Sequence, residues 1–272
     1  MDTLAPSETA PPLLLREMRG PVALITLNRP AARNSLAIPL MEALHRTIDE
    51  AGASPGCAAI VLTGAPPAFC AGHDLKEMTA RRGVPDGGRA FFERTMRACS
   101  TLMQAIVACP KPVIAAVNGI ATAAGCQLVA SCDLAVAGEH ARFATPGVNI
   151  GLFCSTPMVA LSRNVSRKHA MEMLLLGDMI DAHKAADIGL VNCVVPDAEA
   201  VQHALEMAEA IASKSPLTLA IGKKAFYAQA ELPLSAAYDY ATEVMVENML
   251  ARDAEEGIGA FLEKRKPEWK GC

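Results

Sequence analysis

The chain has few aromatic residues and lacks several motifs of common enzyme classes. Aromatic residues make up 4% of the 272 positions, against 51% apolar residues. The core must therefore be built from Ala, Val, Leu, Ile and Met, which favours closely packed helices on a sheet. The sequence contains no G-x-x-x-x-G-K-S/T pattern and no H-E-x-x-H pattern, and its six histidines are scattered. We therefore expect no P-loop nucleotide site, no metal site and no separate cofactor.

Long runs of one charge are also missing. The net charge is −4 and there is no extended Lys/Arg tract, so the sequence carries no electrostatic signature of a nucleic-acid partner. The N-terminus begins acidic and lacks both a basic segment and a long apolar segment, which predicts no secretion signal and no membrane span. A small-molecule function fits this composition better than a nucleic-acid or membrane function.

The cysteines do not form a metal-binding or disulfide pattern. There are nine of them, an odd number, and none are spaced as Cys-x-x-Cys. Most lie within apolar runs such as "GCAAIVL" and "VASCDLAVA". This pattern predicts buried reduced thiols, and from it we expect a cytoplasmic location.

Apolar patterning predicts an α/β protein in one main body. "LLLREMRGPVALITLN" indicates a β-hairpin, "SLAIPLMEALHRTIDEAGA" a helix and "CAAIVLTG" a buried strand. Strand and helix signals then alternate, which indicates a mainly parallel sheet covered on both faces. Strand signals stop near residue 198. We predict a disordered segment at 1–12, a core at 13–195 and a helical C-terminal region at 196–272 that packs on the body or on another subunit.

Two turns rich in small residues stand out: "PPAFCAGHDLKEM" (66–78) and "NGIATAAGCQL" (118–128). Each follows an apolar strand and leads toward a helix. One interpretation is that the small residues only allow tight packing. The other is that each turn aims one backbone N–H at a common oxygen, the second at a helix N-terminus, forming an oxyanion hole for a thioester enolate or a tetrahedral oxyanion.

At these turns the chain resembles the crotonase, or enoyl-CoA hydratase/isomerase, superfamily. The similar blocks are "ITLNRPAARNSL", "AFCAGHDLKEM", "KPVIAAVNGIATAAGCQLVASCDLAVA", "ARFATPGVNIGL" and "EGIGAFLEKRKPEW". The resemblance implies a spiral of ββα units with a helical C-terminal region and assembly as a homotrimer or a dimer of trimers. It also implies an acyl-CoA thioester of fatty-acid metabolism as ligand, with coenzyme A as part of the substrate.

The resemblance assigns roles to individual positions. The oxyanion donors would be the backbone N–H groups of His73 and Ala124, and the imidazole of His73 would be incidental. The phosphates of CoA could pair with Arg33 and Lys76, and a neighbouring subunit could supply Phe261 and Lys264. The full predicted substrate-binding set is Ala32, Arg33, Asp74, Leu75, Lys76, Gly125, Asn149, Cys154, Ser155, Phe261 and Lys264.

The catalytic acids that the family resemblance implies are missing. Two Glu residues hold the reacting water in hydratases of this family, and the matching positions here are Gln127 and Gly147. An amide does not titrate and glycine has no side chain. General acid–base assistance contributes roughly 10²- to 10⁴-fold, so ordinary hydratase activity is in doubt.

Three functions stay open on the sequence alone. The first is a hydratase-type lyase with an altered mechanism, and the second is another acyl-CoA reaction, such as isomerase or thioesterase, that would use Asn149, Cys154 or Ser155. The third is a non-catalytic acyl-CoA binder or regulator. We expect Cys154 and Ser155 only to line the acyl pocket, and we interpret Asp74 as a helix cap and Asp133 as a structural turn acid.

Overall fold

The computed structural model describes residues 11–272, so most of the predicted disordered segment at 1–12 lies outside the described residues. The strands are β1 Leu14–Arg19, β2 Val22–Leu27, β3 Ala59–Gly64, β4 Ala68–Cys70, β5 Val113–Val117, β6 Ile120–Thr122, β7 Leu134–Gly138, β8 Arg142–Ala144, β9 Ile180–Asp181 and β10 Cys193–Val195. The helices are α1 Ile38–Ala53, α2 Leu75–Thr79, α3 Arg89–Ala108, α4 Ala124–Ser131, α5 Pro157–Asn164, α6 Arg167–Leu176, α7 Ala182–Asp187, α8 Ala200–Ala212, α9 Pro216–Gln229, α10 Leu234–Met249 and α11 Arg252–Glu263.

A six-stranded sheet, ordered β1-β2-β3-β5-β7-β10, forms the centre of the molecule. The predicted hairpin is confirmed: β1 and β2 pair antiparallel on either side of Gly20. From β2 onward every pairing in this sheet is parallel. The strands β3 and β5 are buried along their whole length, as expected for parallel strands covered on both faces.

A second sheet has four short strands, ordered β4-β6-β8-β9. Successive units place their first strand (β3, β5, β7) in the large sheet and their second (β4, β6, β8) in the small one, and a helix follows. This is the predicted spiral of ββα units, and the α/β fold class is confirmed. Because β4 and β6 are parallel neighbours, the turns that follow them lie at the same edge of the small sheet.

The first C-terminal helix, α8, packs directly on the large sheet. The helix α8 buries Ala200, Ala204, Leu205 and Ala208 against Val22, Ala59, Val61, Ile114, Ala116 and Val136 of the large sheet. The helix α8 therefore packs on the body, which is one of the two arrangements predicted for the C-terminal region. Its small residues recur at helical spacing and let the helix approach the sheet closely. The later helices α9, α10 and α11 contact mainly one another.

Candidate active site

In the first small-residue turn, the N–H of His73 is not used in pairing with the neighbouring backbone segment. A parallel bridge joins His73 to Leu36, in which Leu36 donates to the Gly72 carbonyl at 2.7 Å and Asp74 donates to the Leu36 carbonyl at 3.4 Å. In this pattern the N–H of His73 itself points away from Leu36. Gly72 precedes it with φ of 89°, a left-handed conformation that favours glycine.

The second turn starts the helix α4 with a strained alanine. Ala123 has φ 50° and ψ −117°, a conformation that costs a non-glycine residue about 1–3 kcal/mol. Two backbone hydrogen bonds hold it: its N–H donates to Ala144 at 2.9 Å and its carbonyl accepts from Gln127 at 3.0 Å. Ala124 is thus the first helical residue, and the N–H groups of a first helical turn have no partner within the helix.

The two turns are in direct contact. A β-carbon added to Gly72 would lie 3.4 Å from the backbone nitrogen of Ala124 and 2.9 Å from the Thr122 carbonyl oxygen. A β-carbon on Gly125 would overlap the Cys70 carbonyl. The backbone amides of His73 and Ala124 therefore lie side by side, and neither donates to a backbone acceptor within residues 11–272.

The small residues serve packing as well as an N–H pair. Gly125 is predicted to contact substrate, yet the space at its α-carbon is filled by Cys70. Its structural role is to let α4 begin against the end of β4. The two interpretations of these turns are therefore compatible, because close packing is what brings the two amides together.

Gln127 lies on α4, one turn after Ala124, and is 5% exposed. Its side-chain oxygen accepts from the thiol of Cys99 on α3, at an Sγ to Oε1 distance of 3.7 Å. Burial raises the pKa of the Cys99 thiol to about 12, so this sulfur keeps its proton at neutral pH. Within residues 11–272, the side chain of Gln127 is thus hydrogen-bonded to a neutral thiol and to no carboxylate.

Gly147 is buried in a short 3₁₀ turn, Pro146–Ile150, that follows β8. A β-carbon there would lie 2.7 Å from the carbonyl oxygen of Leu152 and 2.9 Å from the sulfur of Cys154. The carbonyl of Gly147 also accepts from the N–H of Leu152 at 2.9 Å. The segment 152–154 thus occupies the space into which a side chain at 147 would point.

Two buried polar side chains near these turns have no partner. The ring nitrogens Nδ1 and Nε2 of His73 and the hydroxyl of Thr145 are the only such buried atoms among residues 11–272. Burial lowers the pKa of the His73 imidazole. The nearby Leu36 backbone opposes this shift, but it accepts no hydrogen bond from either ring nitrogen. An unpartnered buried group costs about 1–3 kcal/mol, so these atoms call for a polar ligand or water.

The segment predicted to contact CoA borders the first turn. Ala71 donates to the carbonyl of Arg33 at 3.0 Å, and Arg33 is exposed with φ of 50°, next to the half-buried Ala32. Lys76 and Leu75 are exposed at the start of α2.

The cap role predicted for Asp74 is confirmed. Its carboxylate accepts from the N–H groups of Lys76 and Glu77, both at 3.2 Å, and pairs with Arg29 at 3.0 Å. Although Asp74 is also in the predicted substrate-binding set, its carboxylate is used by these protein partners.

Three other residues of the predicted substrate-binding set have partners within the protein. Asn149 is exposed, and its amide donates to the Gly177 carbonyl at 3.3 Å. Ser155 is exposed, and its hydroxyl donates to the Phe153 carbonyl at 3.3 Å. Cys154 is buried against Gly147, and burial raises the pKa of its thiol. Among the described residues, no carboxylate or histidine is hydrogen-bonded to Ser155 or Cys154.

Phe261 and Lys264 lie at the end of α11. Phe261 is 81% exposed, and α11 contacts mainly α9 and α10. These two residues therefore do not belong to the site within one copy of the chain.

Comparison with known proteins agrees with this geometry. The sequence profile of the family Enoyl-CoA hydratase/isomerase matches residues 17–272. The chain belongs to this family. The predicted relationship to the crotonase superfamily is confirmed, and so is a finer resemblance carried by "HDLKE", "AAGCQLVASCD" and "FATPGVNIGLFCST". These stretches resemble enoyl-CoA hydratase domain-containing protein 3, and the rat mitochondrial protein of that name is 44% identical over 262 residues, 96% of this chain and 86% of the relative.

Solved structures of the enoyl-CoA hydratase/isomerase family share the fold. A crystal structure of enoyl-CoA hydratase from Mycobacterium smegmatis has a TM-score of 0.90 at 48% identity and covers 95% of this chain and 99% of its own. The crystal structure of human enoyl-CoA hydratase domain-containing protein 3 has a TM-score of 0.89 at 44% identity, with 95% and 100% covered.

One prediction is wrong. The rat, frog and human relatives are each named as mitochondrial, which contradicts the cytoplasmic location expected from the cysteines. Nine free thiols, seven of them buried, indicate a reducing compartment but do not distinguish one such compartment from another.

Sequence reasoning missed three contributors to this family member's site. Asn34 is fully buried, accepts from the Arg29 N–H and donates to Ala65 and Ala68, which fixes the loop before the first turn. Cys99 and Thr145 escaped notice because their partners or burial depend on tertiary contacts. Residues 11–272 include no cluster of three His, Cys, Asp or Glu side chains suited to a metal. No helix in that range is long and apolar enough to cross a bilayer.

Proposed function

We propose that the protein binds acyl-CoA thioesters, with the thioester oxygen accepting hydrogen bonds from the backbone amides of His73 and Ala124. The observation that supports this most directly is the contact between the two turns, which leaves side by side two N–H groups that have no acceptor among residues 11–272. The second donor opens α4, whose dipole favours negative charge at that end. Donors fixed in this way stabilise an oxygen on which charge develops.

Ordinary hydration is not part of this proposal. Hydration of a carbon–carbon double bond needs a base for the water and an acid for the α-carbon. Gln127 supplies neither, because an amide does not titrate, and Gly147 has no side chain. Each missing group is worth roughly 10²- to 10⁴-fold in rate, so the amide pair would bind and polarise the thioester without an efficient proton transfer.

We favour a binder over a different acyl-CoA reaction. A thioesterase or isomerase would need an activated side chain, and the hydroxyl and thiol predicted for that role are not activated. The hydroxyl of Ser155 donates to a carbonyl rather than to a base, and burial raises the pKa of the Cys154 thiol. A nucleophile without a base or a lowered pKa is weak.

The nucleotide part of CoA would lie near the exposed Arg33 and Lys76, which flank the first turn. We propose that a second copy of the chain contributes Phe261 and Lys264, in a homotrimer or a dimer of trimers. The later helices leave large apolar side chains exposed, among them Leu234 at 76% and Leu250 at 81%, more than isolated surface residues require. Sedimentation at micromolar concentration should give a trimer or hexamer, whereas a stable monomer would contradict shared CoA sites.

Calorimetric titration with butyryl-CoA and with free butyrate tests the proposed ligand. We expect the thioester to bind and butyrate to bind much more weakly, because the acid lacks the nucleotide and its phosphates. Arg33→Gln and Lys76→Gln should weaken thioester binding, and Arg97→Gln, which changes an exposed arginine on α3, is the matched control. Equal affinities for acid and thioester would contradict the proposal.

A further inference from the structure

The side-chain amide of Gln127 has one hydrogen-bond partner within residues 11–272. Its oxygen accepts from the Cys99 thiol at 3.7 Å, and Cys99 is fully buried on α3. The amide nitrogen Nε2 makes no hydrogen bond to the part of the chain that the structure describes, yet it is not among the three buried unpartnered side-chain atoms of residues 11–272. The remaining 5% exposure of Gln127 therefore includes Nε2, so the free end of this side chain is a hydrogen-bond donor.

We infer that Cys99 is a positioning residue that turns the Nε2 donor of Gln127 toward the acyl group, and that the site selects acyl-CoA thioesters with an acceptor oxygen on the third acyl carbon. This inference rests on the proposed function, because it assumes that the thioester oxygen lies at His73 and Ala124. It gives Gln127, which stands where hydratases of this family have a catalytic Glu, a role in substrate specificity.

The position of Gln127 on α4 indicates which acyl carbon is selected. Ala124 and Gln127 are three residues apart and share one face of the helix, a rise of about 4.5 Å. An oxygen on the third acyl carbon is separated from the thioester oxygen by a few ångströms only. An acyl group held by the Ala124 N–H would therefore bring that oxygen close to the Gln127 amide.

The unpartnered polar atoms of the site support a ligand with polar atoms of its own. His73 belongs to the first turn, and Thr145 follows Ala144, the residue that accepts from Ala123 of the second turn. All three buried unpartnered side-chain atoms of residues 11–272 belong to these two residues. A purely aliphatic acyl group would leave them without partners, whereas an oxygen-bearing group can supply hydrogen bonds.

The test compares the affinities of 3-oxobutyryl-CoA and butyryl-CoA, which differ only at the third carbon, in the full-length protein. We expect the oxo thioester to bind roughly 5- to 10-fold more tightly, the effect of one neutral hydrogen bond. Gln127→Leu should bring the ratio near one, and Gln127→Glu should reverse it, because a carboxylate only accepts. Butyryl-CoA is an internal reference for general damage to the site.

The positioning role of Cys99 has its own readout. Cys99→Ala should reduce the affinity ratio while butyryl-CoA still binds, and Cys99→Ser, which keeps a donor, should retain it. The control is Cys57→Ala, which removes another buried thiol and should leave the ratio unchanged. A ratio near one in the unmodified protein, or a ratio unaffected by Gln127→Leu or Cys99→Ala, would overturn the inference. Failure of butyryl-CoA itself to bind would instead overturn the proposed function.

Discussion

At Gly147 the backbone has no room for the carboxylate that hydration would require. The nearest atom to an added β-carbon is the backbone oxygen of Leu152 at 2.7 Å, and backbone cannot rotate away as a side chain can. Substitution of Glu at both Gln127 and Gly147 is therefore not expected to restore hydration unless the segment 152–154 moves.

Gly147→Ala should destabilise the protein by about 1–3 kcal/mol, because a single methyl group already overpacks this turn. Gly259→Ala is the matched control: Gly259 lies within α11 with nothing near its added β-carbon, so the change should be neutral or stabilising by up to about 1 kcal/mol. Urea unfolding measures both. Equal effects of the two substitutions would show that the loop yields easily.

His73 should make stability fall in mild acid. Burial lowers the pKa of its imidazole below the ordinary 6.5, so the unfolded chain binds a proton that the folded chain does not. This contribution is fully present above pH 6.5 and is lost progressively as the pH falls below it. His73→Gln should flatten the slope of unfolding free energy against pH below 6.5. An unchanged slope would mean that the folded site accepts the proton.

At the scale of elements, a largely buried ion pair joins the helix α9 to Asp133, the residue that precedes β7. Lys223 donates to Asp133 at 2.6 Å and to the carbonyls of Ile106 and Lys111, both at 3.0 Å. Tyr227 donates to the other oxygen of Asp133 at 2.9 Å, and burial raises the pKa of this tyrosine. The structural role predicted for Asp133 is confirmed, and its partners explain why α9 stays against the body.

Lys223→Met should cost about 3 kcal/mol, because it leaves the Asp133 carboxylate buried without its cation. Tyr227→Phe should cost less, about 1.5 kcal/mol, as the loss of one hydrogen bond to a charged group. Arg97→Met, which removes an exposed pair with Glu93, should change stability by less than about 0.5 kcal/mol. Equal free energies of unfolding for Lys223→Met and Arg97→Met in chemical denaturation would contradict a stabilising role of the Lys223–Asp133 pair in holding α9 against the body.

Helices and strands with a regular spacing of apolar residues could be predicted from the sequence. Contacts between residues that are distant in the chain could not. The hairpin, the buried strand β3 and the start of α4 follow from local patterns. The contact of Cys99 with Gln127 joins residues 28 apart in the chain, and the bond from Lys223 to Asp133 spans 90 residues. Neither leaves a local signal, and the same is true of the space that closes around Gly147.

For the whole molecule, the fold and family were predictable because five sequence blocks occur in the order of the superfamily. The surface that α8 covers was not, because its small residues are compatible with packing on the body or on another subunit. The prediction of subcellular location was wrong, because reduced thiols indicate a redox environment and not an organelle. The function could be predicted only in part. The pair of backbone amides could be predicted from the two small-residue turns, whereas the reaction depends on the identities of Gln127 and Gly147.

Hydration of crotonyl-CoA by the unmodified protein tests the central claim most directly. The same preparation should first be shown to bind butyryl-CoA, so that inactivity is not confused with a damaged site. The account predicts thioester binding with hydration near the uncatalysed background, and little recovery in Gln127→Glu, since the second acid is still absent. Turnover near the median enzyme rate of about 10 s⁻¹ would contradict it, because other residues would then have to supply the acid and the base.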